Sequence, residues 1–175
     1  IRDSTVPVTP GANKLLDVEF TNRGNLIEYL NVTAEIEGDW ASSWEQDQIV
    51  LPINNTAEND LTITVPALGG NFSLANGDII NVTISLYSTG NGQFLKAKTV
   101  KLKVAPVFLV EVQNWPDEML YHRGDTRSWS VQITNVGNKD VTVSLDHEVL
   151  KPGVDVNSLD WEVVTMQPNL FLPVG

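Results

Sequence analysis

Four asparagines begin an Asn-x-Ser/Thr triplet, the acceptor signal for N-linked glycosylation. The four candidates are Asn31, Asn54, Asn71 and Asn81. Asn31 and Asn81 fall on the outward positions of two predicted strands, and the other two fall in turn-rich segments, so all four are predicted to be accessible. Asparagine and threonine are also common in turns and on exposed sheet faces, which accounts for the triplets without any modification.

Two tyrosines, Tyr29 and Tyr87, fall on the outward positions of strands that we expect to be neighbours in a sheet. Exposed aromatic rings can stack on sugar rings or anchor a protein partner. Both residues are therefore candidates for ligand binding. Singly exposed aromatic residues are also ordinary on protein surfaces, so the two interpretations stay open.

Two segments gather side-chain oxygens that could bind calcium. The first is "DVNSLD", with Asp155, Asn157 and Asp160, and the second is "NNTAEND" at residues 54–60. We expect both segments to be loops. Neither has the spacing of a known calcium loop, and acidic loops are commonly just solvated. No cofactor is expected, and calcium is the one candidate that these segments offer.

Residues for catalysis are sparse in this sequence. His122 and His147 are the two histidines, and the acidic neighbours of His147 would point to the opposite face of a strand. There is no cysteine, which excludes disulfides and thiolate metal sites. The sequence contains no nucleophile elbow and no phosphate-binding loop. We therefore expect a protein that is not an enzyme.

The elements that would position these residues are strands. Apolar and polar residues alternate with a period of two, as in Leu16, Val18 and Phe20, and again in the stretches "YLNVTAEIE", "LTITV" and "IINVTISLY". This pattern is typical of half-buried antiparallel strands. Turn sequences such as "PGAN", "NRGN" and "ANGD" separate the strands. No stretch has the period of an amphipathic helix, so the predicted class is all-β.

One predicted strand, "GQFLKAKTVKLKV", changes its alternation partway. Lys96 and Lys98 would share a face with Val100 and Leu102. The sequence therefore predicts a β-bulge near Lys98–Thr99 that turns the second half of the strand. The lysines also suit a strand near a sheet edge, where charge discourages unwanted pairing.

The sequence contains an internal repeat. "FTNRGN" at residues 20–25 matches "ITNVGN" at 133–138, an offset of 113 residues. The pairs "DW" and "LP", which begin at Asp39 and Leu51, recur at Asp160 and Leu172 with an offset of 121. Tandem β-sandwich modules produce such a repeat. In each module, "TNxGN" would end a strand, with glycine permitting a positive φ and asparagine bonding the turn backbone.

The repeat predicts two immunoglobulin-like sandwiches, at residues 1–105 and 106–175. Gly175 aligns with Asn54, and after Asn54 the first module continues through roughly three more strands. We therefore expect the second sandwich to be incomplete. Either the sequence is a segment of a longer chain, or another polypeptide supplies the missing strands by β-strand addition.

The stretches "FTNRGN", "LTITV" and "GDIINVTIS" together resemble the cell-adhesion-related (CARDB-like) immunoglobulin-like modules of archaeal and bacterial surface proteins, which include S-layer-like proteins. The resemblance covers residues 5–104 and the part of the same pattern in 107–175. It implies a sandwich of about seven strands, an extracellular location, and a role as spacer or adhesive element. It implies no catalytic residues.

The net charge of the chain is −11, from 11 basic and 22 acidic residues. An acidic surface repels phosphate, so no nucleic-acid partner is expected. No apolar run approaches the length of a membrane span. The predicted function is a non-catalytic, cell-surface structural or adhesive module, such as a spacer or stalk, that binds protein partners or itself. Two alternatives remain: a carbohydrate-binding module of a secreted glycosidase, and a filament subunit completed by a neighbour's strand.

Overall fold

The computed structural model describes residues 5–38, 40–69, 73–114, 126–145 and 169–174. By its contacts the chain divides into two compact units, Ile1–Val107 and Phe108–Gly175, which we call unit 1 and unit 2. The described residues form twelve strands and no helix, and they contain no helical segment that could cross a membrane. The protein is all-β, as the alternation predicted, with the immunoglobulin-like β-sandwich architecture that the repeat predicted.

Unit 1 contains eight strands among its described residues: β1 (Thr5–Val8), β2 (Asn13–Thr21), β3 (Glu28–Ile36), β4 (Ser42–Trp44), β5 (Gln48–Leu51), β6 (Thr56–Thr64), β7 (Ile79–Ser88) and β8 (Phe94–Val104). One sheet has five strands in the order β1-β8-β7-β3-β5, and the other has three in the order β2-β6-β4. The neighbouring strands are antiparallel except β1 and β8, which are parallel.

The inward residues of both sheets form one apolar core. Leu61, Ile63 and Leu102 are fully buried, and Leu16 and Phe20 are buried as the alternation predicted. Trp40 is also buried in this core. Burial of apolar surface at about 25 cal/mol per Å² is the main stabilising contribution in such a sandwich.

The predicted loop at residues 54–60 is wrong from Thr56 onward, because β6 begins there. Asn59 is 2% exposed and faces the core side of this strand. Its side-chain nitrogen Nδ2 donates to the carbonyl oxygen of Gln46 at 2.7 Å, and its Oδ1 accepts from the amide of Gln46 at 3.0 Å. These two hydrogen bonds satisfy the polar side chain at its inward position. They also fix the backbone just before β5.

The predicted bulge near Lys98–Thr99 is also wrong. β7 and β8 keep one register through Thr99 and Lys98 as far as Lys96. The irregularity occurs between Leu86 and Tyr87, where Leu95 is the extra residue of β8.

The lysines of β8 need no bulge because the core does not extend along the whole strand. Lys96 and Lys98 are exposed, Val100 is half-buried, and only Leu102 and Val104 are buried. The first half of the strand therefore tolerates charge on both faces. β8 is next to the edge strand β1, which confirms the expected position near a sheet edge.

Unit 2 contains four strands among its described residues: β9 (Val110–Gln113), β10 (Gln132–Asn135), β11 (Val141–Ser144) and β12 (Asn169–Leu172). β9 pairs with β10, and β11 pairs with β12, both antiparallel.

The β11–β12 pair repeats the β3–β5 pair of unit 1 in the same register. Glu28 pairs with Leu51 in unit 1, and Val141 pairs with Leu172 in unit 2. Val141 lies 113 positions after Glu28, and Leu172 lies 121 positions after Leu51; these are the two offsets found in the sequence. The strand register therefore confirms the internal repeat independently of the sequence match.

Candidate interaction surfaces

The repeated "TNxGN" phrase is built around one buried asparagine. Asn22 is 6% exposed at the end of β2. Its Nδ2 donates to the carbonyl oxygens of Leu26 at 2.8 Å and Leu51 at 3.0 Å, and its Oδ1 accepts from the amide of Gly24 at 2.8 Å. The side chain thus joins the end of β2 to the start of the next turn and to the end of β5. We call this arrangement the asparagine clamp.

Unit 2 contains the same clamp. Asn135 is 7% exposed, and its Nδ2 donates to the carbonyl oxygens of Lys139 at 3.0 Å and Leu172 at 3.1 Å. Its Oδ1 accepts from the amide of Gly137 at 3.0 Å. Every partner corresponds to its unit 1 counterpart by one of the two sequence offsets. The phrase therefore recurs because one side chain fixes the same three backbone groups in both units.

The glycine of the phrase has a different role from the one expected. Gly24 is not among the described residues with a positive φ, so the predicted left-handed turn is wrong at this position. A Cβ atom at Gly24 would lie 3.1 Å from the Asn22 side-chain oxygen. Glycine is favoured here because a Cβ atom would be tightly packed against the asparagine side chain.

The two units differ in how they pair the strand that carries the clamp. In unit 1 the amide of Asn22 donates to the carbonyl oxygen of Asn55, on the β6 side of β2. In unit 2 the amide of Val136, one residue after Asn135, donates to Leu109 beside β9. Amides alternate in direction along a strand. β9 therefore lies on the edge of β10 that corresponds to the outer edge of β2.

The other edge of β10 carries the amides of Ile133 and Asn135. They correspond to those of Phe20 and Asn22, which face β6 in unit 1. No strand pairs with this edge among the described residues of unit 2. We call it the open edge of β10.

The apolar residues of unit 2 that correspond to core residues of unit 1 are incompletely covered. Four residues of unit 1 are at most 6% exposed: Phe20, Leu30, Ile49 and Leu51. Their counterparts in unit 2 are only half-buried: Ile133, Val143, Leu170 and Leu172. Trp129 is 52% exposed, whereas its counterpart Leu16 is 9% exposed. The described part of unit 2 thus has half-buried apolar residues where unit 1 has a core, and a strand edge that no described strand pairs with.

A second surface lies on the outer face of the five-stranded sheet. Tyr29 on β3 is 56% exposed, and Tyr87 on β7 is half-buried. Tyr87 pairs with Asn31, two residues after Tyr29 on the same face, so the two tyrosines are diagonal neighbours. Phe94 on β8 packs edge-on against Tyr87 with ring centroids 5.7 Å apart. The expected juxtaposition of the tyrosines is present, and Phe94 adds to it because the irregularity at Leu95 pairs it with Tyr87.

Three of the four glycosylation candidates lie within the described residues. Asn31 is half-buried on β3, Asn81 is exposed on β7, and Asn54 is exposed in the turn after β5 with a φ of 56°. Asn71 lies outside the described residues. Their occupancy stays a prediction.

The calcium candidates Asp155, Asn157 and Asp160 lie outside the described residues. Within the described residues, no group of three or more His, Cys, Asp or Glu side chains is arranged to hold a metal ion. The acidic residues of the second segment, Glu58 and Asp60, lie on β6 instead of a loop, directly opposite Glu19 and Asp17 on β2.

A shallow cavity of about 280 Å³ lies beside these carboxylates, lined by Leu15, Ser43, Trp44, Glu45, Asp60 and Thr62. Trp44 packs against Phe20 of the core with ring centroids 6.3 Å apart. Its buried Nε1 has no hydrogen-bond partner among the described residues. Sequence alternation did not indicate this cavity, because β4 is only three residues long.

Neither a protein-family model nor a curated protein matches this sequence. Similar solved structures include SSP-19, an MSP-domain protein like family member of Caenorhabditis elegans (8% identity, 58% of this chain, 94% of that chain, TM-score 0.38). A mutant SrpA adhesin of Streptococcus sanguinis has 18% identity over 57% of this chain and 53% of that one, with a TM-score of 0.41. The CsuC–CsuE chaperone-tip adhesion subunit complex of Acinetobacter baumannii has 10% identity over 97% and 80%, with a TM-score of 0.34. These similarities concern the fold alone.

Proposed function

We propose that this protein is a non-catalytic structural or adhesive module of the cell surface, a spacer, stalk or S-layer element that acts through protein–protein contacts. The observation that carries the proposal is the open edge of β10, together with the half-buried residues Ile133, Val143 and Leu170, which correspond to buried core residues of unit 1. An unpaired strand edge next to uncovered apolar surface suits the addition of a strand. The resemblance to CARDB-like surface modules supports the extracellular setting.

Unit 1 indicates which kind of strand fits the open edge. β6 pairs with the corresponding edge of β2 and turns Leu61 and Ile63 into the core, while Thr62 and Thr64 face outward. An added strand on β10 would bond the amides of Ile133 and Asn135 and cover the same apolar side chains. Its sequence would therefore alternate apolar and polar residues as β6 does.

The test is binding of a peptide with the sequence of residues 56–65, which carry β6, to the full chain. NMR amide shifts and hydrogen exchange should show protection at Ile133 and Asn135, with little change at Gln132 and Thr134, which pair with β9. A matched peptide with aspartate at the positions of Leu61 and Ile63 should not bind. The proposal that a strand adds to the open edge of β10 is wrong if the first peptide leaves the amides of β10 unchanged.

The filament-subunit alternative rests on the same open edge, with the strand donated by a neighbouring copy. It predicts assembly that increases with protein concentration in analytical ultracentrifugation. Ile133→Asp, which places a carboxylate on the apolar face, should abolish assembly, whereas Gln132→Asp on the exposed face should leave it intact. A chain that stays monomeric at every concentration argues against this alternative. The open edge would then bind a strand of a different protein.

The carbohydrate-binding alternative is favoured by the neighbouring rings of Tyr29 and Tyr87, supported by Phe94. Aromatic faces stack on sugar rings. Titration with soluble oligosaccharides should then perturb the ring resonances of both tyrosines, and Tyr29→Ser should remove the binding. Unperturbed tyrosine resonances across a panel of oligosaccharides would eliminate this alternative.

A further inference from the structure

One glycosylation triplet coincides with the tyrosine surface. Tyr29, Asn31 and Thr33 occupy alternate positions of β3 and therefore share the outer face of the sheet. Asn31 lies directly opposite Tyr87 on β7. Side chains in such positions have Cβ atoms about 5–7 Å apart, within reach of one sugar ring. The acceptor asparagine thus has an aromatic neighbour along its own strand and another across the sheet.

The neighbouring groups leave the reactive atom of Asn31 available. Its side-chain oxygen Oδ1 accepts a hydrogen bond from the hydroxyl of Thr89 at 3.4 Å. Nδ2, the nitrogen that glycosylation modifies, makes no hydrogen bond within the described residues. Phe94 packs edge-on against Tyr87 with ring centroids 5.7 Å apart. Nδ2 of Asn31 is therefore available for modification beside a ring that already contacts a second aromatic side chain.

The other described triplets lack this arrangement. The Nδ2 of Asn81 donates to the carboxylate of Glu37 at 3.0 Å, and its neighbour across the sheet is Lys101. Asn54 lies in an exposed turn between Ile53 and Asn55, neither of which is aromatic. Asn31 is the described acceptor that adjoins aromatic rings on one sheet face, and Asn54 provides a matched accessible control.

We propose that Asn31 carries an N-linked glycan whose first sugar lies against the rings of Tyr29 and Tyr87. In the modification, Nδ2 loses one hydrogen as a proton and bonds to the anomeric carbon of a lipid-pyrophosphate oligosaccharide. The bond from that carbon to the pyrophosphate oxygen breaks, and the lipid pyrophosphate leaves. The apolar face of the attached sugar then covers aromatic surface that is otherwise exposed. This inference concerns unit 1 and goes beyond the proposed function, which depends on unit 2.

The experiment uses the full chain in the background Asn54→Gln, Asn71→Gln and Asn81→Gln, so that Asn31 is the sole acceptor. The protein is secreted from a host that performs N-glycosylation and is also produced in one that does not. Peptide mass spectrometry should find Asn31 occupied in the secreted protein. The glycan should raise the thermal unfolding midpoint by roughly 3 °C, the size expected when one modest contact is added to a domain of this size.

The tyrosines give the decisive control. In the variant Tyr29→Ser with Tyr87→Ser, the midpoint difference between glycosylated and unglycosylated protein should fall below roughly 1 °C. The upfield ring-current shifts of the first sugar's protons should disappear as well. A chain that retains only Asn54 should be glycosylated without gaining stability. An unmodified Asn31, or a glycan effect that persists without the tyrosines, overturns the proposal.

Discussion

The two units of this protein place the same asparagine side chain on corresponding backbone groups, yet they bury different amounts of the apolar surface beside it. Asn22 and Asn135 each bond two carbonyl oxygens and one glycine amide, and the strands around them share one register. Leu30 is nevertheless 4% exposed, whereas its counterpart Val143 is half-buried. The same clamp and the same strand register therefore occur together with different burial of the adjacent apolar side chains.

The largest expected contrast concerns the core. Ile49→Ala should destabilise unit 1 by about 3.5 kcal/mol, because a buried side chain leaves a cavity. The matched change Leu170→Ala in unit 2 should cost about 1 kcal/mol, since Leu170 is already half-exposed. Urea unfolding followed by residue-resolved NMR measures each unit separately. Equal losses in the two units would mean that unit 2 has a complete core.

The asparagine clamp should show a smaller contrast. Asn22→Ala removes the side-chain hydrogen bonds of one amide and two carbonyl groups, including the buried carbonyl of Leu51, and should cost about 2.5 kcal/mol. Asn135→Ala should cost about 1.5 kcal/mol, because the corresponding carbonyl of Leu172 is only partly buried and can bond water. The same NMR-detected unfolding checks both values. A larger loss for Asn135 than for Asn22 would reverse the comparison.

The smallest contrast concerns surface charge. On the outer face of unit 1, Asp17 pairs with Asp60 and Glu19 pairs with Glu58, and such like-charge pairs are destabilising. Asp17→Asn with Glu19→Gln should therefore stabilise unit 1 by about 0.5 kcal/mol at low salt, with less gain at high salt.

Unit 2 has Ser130 and Gln132 at the positions that correspond to Asp17 and Glu19. We therefore expect added salt to stabilise unit 1 more than unit 2, as measured by the unfolding midpoints of the wild-type chain in increasing sodium chloride. A salt response that the double variant shares with the wild type would show that these pairs do not cause it.

The sequence predicted the features that local patterns encode. Period-two alternation identified the inward residues of β2, including Leu16 and Phe20, and the repeat offsets agree with the register that β11 and β12 adopt. Alternation could not identify Asn59 as an inward residue, because its burial depends on hydrogen bonds to the distant backbone of Gln46.

The errors in β8 have the same origin. A bulge at Lys98–Thr99 was expected on the premise that the core extends along the whole strand, whereas the lysines lie where it has already ended. The irregularity at Leu95 depends on the pairing with β7, which the strand's own sequence does not specify. That pairing places Phe94 beside Tyr87. The contribution of Phe94 to the tyrosine surface therefore could not be predicted from the sequence.

The most direct test of the open edge is amide hydrogen exchange in the wild-type chain, with corresponding residues compared in the two units. Phe20 and Asn22 should exchange slowly because β6 accepts their amides. Ile133 and Asn135 should exchange many times faster, while Gln132 and Thr134, which face β9, should remain protected relative to them. Protection of Ile133 and Asn135 equal to that of Phe20 and Asn22 would contradict the account, because the edge of β10 would then already be covered.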